Sequence, residues 1–238
     1  YSKGLQYTAT YTWSHALAST SPWVIALGGQ ASPNPENMSL VYSSAAWDIR
    51  HNFVASATYE LPIGKGKALG SNWNPVLQRT LGNWQVNGLL TLHTGQPFTL
   101  ASLNGIGYLG YQRDGSYIYP SVLPGQNPNA APPGGRTPSE WFNTSNIVAT
   151  APYTEGNLGN ATNTGPPARN LDFSLFKEIP ITERYKLTIR GEVFNLLNTP
   201  QFSVQTIGLT QGTGSFGQIA NTVAQSERRI QFGMKFVF

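Results

Sequence analysis

Arg229-Ile230-Gln231-Phe232-Gly233-Met234-Lys235-Phe236-Val237-Phe238 closes the chain and decides how the rest is read. Ile230, Phe232, Met234, Phe236 and Phe238 fall on one side of an extended backbone. Arg229, Gln231, Gly233, Lys235 and Val237 fall on the other. Strand side chains switch faces at every residue, so this stretch has one wholly apolar face and one mainly polar face. A chain that stops inside such a strand, not in a polar tail, has its terminus tied into a sheet.

The same alternation recurs upstream over 5–17, 48–61, 84–94, 170–177 and 185–195. In the first, Leu5, Tyr7, Ala9, Tyr11 and Trp13 alternate with Gln6, Thr8, Thr10 and Thr12. In the second, Phe53, Ala55, Ala57 and Tyr59 oppose Asn52, Ser56, Thr58 and Glu60. Trp84, Val86, Gly88, Leu90 and Leu92 oppose Gln85, Asn87, Thr91 and His93 in the third. Leu171, Phe173 and Leu175 follow in the fourth, then Leu187, Ile189, Gly191 and Val193 in the fifth. Strands that cross an outer membrane need about 9–11 residues, whereas soluble strands are commonly nearer 5–6.

Composition agrees. Only 11% of the 238 residues are charged, while the hydrophobic fraction is 39%. Low charge at ordinary hydrophobicity suits a wall whose alternate residues meet lipid and whose other residues are uncharged and polar. No apolar run reaches the roughly 20 residues that a membrane helix requires. Cysteine is absent, which excludes a disulfide framework and thiolate metal sites. The net charge of +4 is spread over scattered Lys and Arg, with no run beyond Arg228-Arg229, so nucleic acid is not an expected partner.

The connections alternate in length. Residues 18–47, 95–169 and 196–228 are long, whereas 178–184 is a short turn; that asymmetry places the long loops outside and short turns in the periplasm. The 62–83 connection is long for the periplasmic side, and its Pro75–Leu81 stretch reads as a short helix. These features predict an all-β, antiparallel, up-and-down transmembrane β-barrel segment of about six strands with long external loops. Six strands cannot close such a barrel, so the sheet is expected to be open at its first and sixth strands. Trp13 at the outer ends, with Trp84, Tyr185 and Phe238 at the periplasmic ends, suits interfacial aromatic belts.

Candidate functional residues fall into two sets. Arg50, His93, Asp172, Lys186, Arg190 and Glu192 share the polar, lumen-facing side, where they contact a solute or pair with one another. Trp141, Phe142 and Tyr153 are loop aromatics suited to binding, and Trp141-Phe142 also suits the anchor of a small folded patch within 95–169. His15 and His51 lack a companion cluster with ligand spacing, so neither a metal nor a cofactor is expected. No catalytic constellation is present: G-x-S-x-G, H-E-x-x-H and a phosphate-binding glycine loop are all missing from the sequence.

Several stretches go beyond periodicity. Gly4-Leu5-Gln6-Tyr7-Thr8-Ala9-Thr10-Tyr11-Thr12-Trp13-Ser14-His15-Ala16 resembles a late strand of Oar-like TonB-dependent outer-membrane receptors. Asp48-Ile49-Arg50-His51-Asn52-Phe53-Val54, leading to Tyr59-Glu60-Leu61-Pro62, resembles the next strand and turn. Asn170-Leu171-Asp172-Phe173-Ser174-Leu175-Phe176-Lys177 and Arg190-Gly191-Glu192-Val193-Phe194-Asn195-Leu196-Leu197-Asn198 resemble the penultimate hairpin. The resemblance implies that residues 1–238 are the C-terminal part of a 22-stranded barrel in a Gram-negative cell outer membrane, with the plug and remaining strands upstream. It implies no enzyme, but energy-coupled uptake of a siderophore, oligosaccharide or other nutrient. Implied partners are outer-membrane lipid, the TonB complex through the upstream plug, and the barrel-assembly machinery through the strand ending in Phe238. The alternatives are an adhesin or porin without TonB coupling, and a soluble carbohydrate-binding β-sandwich whose apolar faces would pack together.

Overall fold

The computed structural model describes residues 4–19, 38–102, 119–151, 154, 156–182 and 184–238. Among them six long strands form one antiparallel sheet in simple sequence order: β1 (Leu5–Trp13), β2 (His51–Glu60), β3 (Trp84–His93), β4 (Ala168–Pro180), β5 (Lys186–Phe194) and β6 (Arg229–Val237). β1 and β6 are its two open edges, as expected of a barrel segment. The strands begin and end within a few residues of the sequence expectation. The largest departure is β1, which stops at Trp13; Leu17–Ala18 instead pairs with Ser43–Ser44 as part of the loops.

Register preserves both faces across the sheet. Tyr11 lies opposite Phe53, Phe53 opposite Leu92, Leu90 opposite Leu171, Phe173 opposite Val193 and Val193 opposite Ile230. A slip of one residue at any pairing would turn a strand's apolar set into the lumen. β4 carries the stagger. Its residues 168–177 pair with β3, whereas 173–180 pair with β5, so the second half of the sheet is displaced along the strand direction. Such shear accompanies the strand tilt of barrels.

Two glycines on β5 and β6 serve packing. Gly191 sits under Phe232, whose ring carbon lies 3.4 Å from where a Cβ would stand. Such an aromatic covers a strand glycine and fixes the local pairing. On the opposite face Gly233 makes room for Arg190, whose Nε is 2.5 Å from the corresponding position.

The core is not in the sheet. Val41, Phe98, Leu100, Tyr119, Trp141, Phe142, Ile147, Leu158, Ile207 and Ile219 form the buried cluster, and every one belongs to a long connection. By contrast, Phe232 is 83% exposed, Met234 73% and Phe236 51%, and Phe173 is only half-buried. Among the described residues no second sheet packs on the apolar face, which removes the β-sandwich alternative, in which these side chains would meet one. A face this large and apolar is one that lipid covers.

Charges bracket that face on β4. Alternation puts Arg169, Leu171, Phe173, Leu175 and Lys177 on the same side. Arg169 and Lys177 are eight residues apart, about 26 Å along the strand at about 3.3 Å per residue. With the usual tilt of about 40° this spans roughly 20 Å, close to the ~25 Å apolar band; Arg169 is exposed at the outer end, whereas Lys177 is buried at the periplasmic end. At the periplasmic end Tyr185, Phe236 and Phe238 stack in series, with ring centroids 5.9 and 6.3 Å apart, supplying one aromatic girdle.

Candidate functional site

The connections 14–50, 94–167 and 195–228 all leave the same end of the sheet, the end that faces outward in barrels of this kind. Their described residues fold together into a cap. Phe142 is 0% exposed at its centre, 6.0 Å from the Phe98 ring and edge-on to Phe216 at 5.3 Å. The indole N–H of Trp141 donates to the Thr164 carbonyl at 2.8 Å. Arg136 lies 5.3 Å over the Trp141 ring and donates to the Trp141 and Asn129 carbonyls. Burial lowers the Arg136 pKa from its ordinary value. A guanidinium starts so high that it stays charged all the same.

Hydrogen bonds, mostly between backbones, tie the three loops together. Tyr119 donates to Asn160 Oδ1 at 2.7 Å, and the Asn160 backbone N–H donates to the Leu40 carbonyl at 2.8 Å. The Ile219 N–H reaches the Pro138 carbonyl, and the Ala101 N–H that of Leu209. Loops with little regular structure must satisfy their backbone groups in this way when they bury a core.

Where the cap meets the lumen face, a cleft of about 290 Å³ opens between the outer ends of β3 and β4 and the last loop. His93, Gln96, Ala168, Phe202 and Gln205 are among its walls, and no Asp, Glu, Lys or Arg lines it. His93 Nδ1 contacts the Thr94 carbonyl at 2.8 Å. A carbonyl only accepts, so Nδ1 carries the proton and a neutral ring keeps Nε2 as an acceptor. Amides, an imidazole and an aromatic surface suit a neutral polar solute better than an ion.

The remaining lumen candidates are dispersed. Arg50 lies just before β2 at the outer rim, where Nη2 meets Asp48 at 3.4 Å; Asp48, buried, also accepts from the Ala16 N–H at 2.9 Å. This pair holds the exit of β1 against the entry of β2. Lys186 meets Glu178 at 3.2 Å across the β4–β5 hairpin, at the periplasmic end. Arg190 and Glu192 are 3.6 Å apart on the same strand, not across strands. Asp172 accepts from Asn170 Nδ2 and from the Asn195 N–H.

The two loop aromatics correct one expectation. Trp141 and Phe142 are inside the cap, so Phe142 has no surface to offer a solute, and both act by holding the loops as a folded patch. Tyr153 lies outside the described residues. His15 and His51 are engaged separately, with Ser44 and with Tyr11. Among the described residues no group of three or more His, Asp or Glu converges on a metal position.

Asn195 is a structural residue that the periodicity passes over. It ends β5 in the left-handed region at φ 49°, which Asn tolerates better than other non-glycine residues. Its Nδ2 donates to the Thr199 and Ser226 carbonyls at 2.9 and 2.8 Å, and its Oδ1 accepts from the Thr199 N–H at 3.0 Å. One side chain thus clamps both ends of the last loop. Asn195→Ala is expected to cost about 2–3 kcal/mol, about 1 per lost bond, and to expose residues 196–228 to protease. Asn195→Gly, which relieves the backbone but not the bonds, should recover only part of that protection.

A family model described as "Outer membrane beta barrel domain" matches residues 1–231. No curated protein and no solved structure matches the chain. The match spans β1–β5 and the first residues of β6, a sheet with one exposed apolar side, and the chain belongs to the outer membrane beta barrel domain family, as a barrel protein of the cell outer membrane.

Proposed function

We propose that this chain forms part of the wall and mouth of a TonB-dependent receptor that takes up a scarce solute across the outer membrane by energy coupling. The observation that carries the reading is the cap. Its loops are held in one arrangement by a core of their own, directly above an uncharged cleft at the lumen mouth. Preorganised loops bind without the entropic cost of ordering at each encounter, which suits capture more than passive leakage. The neutral lining favours an oligosaccharide or another uncharged polar nutrient. On this reading β1 and β6 pair with further strands, an upstream plug contacts TonB, and β6 with Phe238 engages the barrel-assembly machinery.

The test uses the complete gene product in phospholipid vesicles. The expected result is that arabinose does not leak through the protein and that the periplasmic domain of TonB binds it. Free passage of arabinose with no TonB affinity would replace this reading by a porin. A closed barrel with no TonB affinity would replace it by an adhesin.

A further inference from the structure

The 62–83 connection at the periplasmic end contains the helix α1 (Pro75–Leu81), capped by Asn74, whose side chain accepts from the Leu77 N–H at 2.9 Å. This helix is inside out. At 3.6 residues per turn, Val76, Thr80, Leu77 and Leu81 occupy one arc of about 140°, and Gln78 lies across from it. An amphipathic helix on a water-soluble surface turns its apolar arc to the protein. Here the half-buried amide of Gln78 turns inward, against Gly64 and Gly82, while Val76 is 69% exposed and Leu77 and Leu81 are exposed beside it. Thr80, on the same arc, returns its hydroxyl to the Val76 carbonyl at 2.9 Å, which hides its polarity.

The helix is also fixed on the lipid side of the wall. Lys177 sits on the apolar face of β4, yet is only 5% exposed. Its ammonium donates to the Gly82 carbonyl, the C-cap of the helix, at 2.6 Å and lies 4.7 Å from the centre of the Trp84 ring. The end of α1 is therefore continuous with the apolar band. Residues 61–83 contain Lys65, Lys67 and Arg79 and no carboxylate; Lys65 and Arg79 are exposed.

We propose that α1 lies in the periplasmic leaflet of the outer membrane, with Val76, Leu77 and Leu81 at the acyl boundary and Lys65 and Arg79 against phospholipid phosphates. Apolar side chains turned outward and basic residues without acidic ones are what an interfacial segment requires, and the headgroup region can hydrogen-bond the open carbonyls of the last turn. The connection then widens the footprint of the barrel on the inner leaflet and resists rotation of β2–β4 about the membrane normal. It holds for any outer-membrane barrel, with or without TonB.

The chain has no cysteine, so one introduced at a time gives a unique label within it. Val76→Cys, Leu77→Cys and Ser71→Cys forms of the complete protein, spin-labelled in phosphatidylethanolamine–phosphatidylglycerol vesicles, are probed with oxygen and with a neutral nickel chelate. Labels at 76 and 77 are expected to relax several-fold more with oxygen than with nickel, relative to the label at 71. Equal access of nickel to 76, 77 and 71 would overturn the proposal by placing the helix in water. Exclusion of both probes from 76 and 77 would overturn it in favour of a covering protein.

Discussion

Arginine in place of Met234 is expected to destabilise the folded protein in a phospholipid bilayer by about 2–4 kcal/mol, although 73% of Met234 is already exposed. Met234 lies midway along the apolar face of β6, between Ile230 and Phe238, opposite Ile189. Were that face in water, substitution of so exposed a residue would fall within about ±0.5 kcal/mol. In lipid the guanidinium must be hauled toward a distant interface, and the cost depends on depth. Two controls share the strand. Gln231→Arg faces the lumen and should cost under about 1 kcal/mol, and Phe238→Arg, near the periplasmic interface, about 0–1. Guanidinium unfolding of the refolded protein in vesicles measures all three. Equal costs at 231 and 234 would mean that lipid does not cover the apolar face.

How much of this was legible beforehand differs by element. The strands were, because two solvents act on every residue: lipid on one side and a wet lumen on the other impose period two over the full crossing. Leu171, Phe173 and Leu175 therefore fixed β4 without knowledge of its partners. Lys177 continues the same alternation onto the apolar side, but its acceptor, Gly82, is 95 residues away. No local pattern encodes that contact. The cap was hidden for the same reason. Val41, Leu100, Leu158, Ile207 and Ile219 follow no sustained period in their loops, and only three-dimensional proximity makes them a core. Trp141-Phe142 was the one local sign of it, legible both as a folded patch and as a binding surface. The α1 helix was readable from Asn74 and Pro75, but its orientation was not. Periodicity reveals an apolar arc and cannot say whether protein or lipid receives it.

Phe142→Ala is expected to open the loop cap while leaving the barrel wall intact. Phe142 is fully buried between Phe98 and Phe216, and truncating such a phenylalanine costs about 3–5 kcal/mol through lost transfer energy and an unfilled cavity. Among the described residues the cap's core is a small cluster of loop side chains, so a loss of that size is comparable to what keeps it closed. The strands share none of this core, and their ladders and lipid contacts should persist. Limited proteolysis should therefore cut within 119–151 and 195–228 in the variant and spare them in the parent, while both retain the shifted gel mobility of an unboiled barrel. Phe142→Leu, which keeps most of the volume, should remain largely protected. An unchanged cleavage pattern would mean that the loops are held by something other than this core. Loss of the folded mobility would mean that cap and wall unfold as one unit. Separation of the two would give capture its own stability, independent of the wall: solute binding should then disappear with the cap at a temperature or denaturant concentration where the barrel still stands.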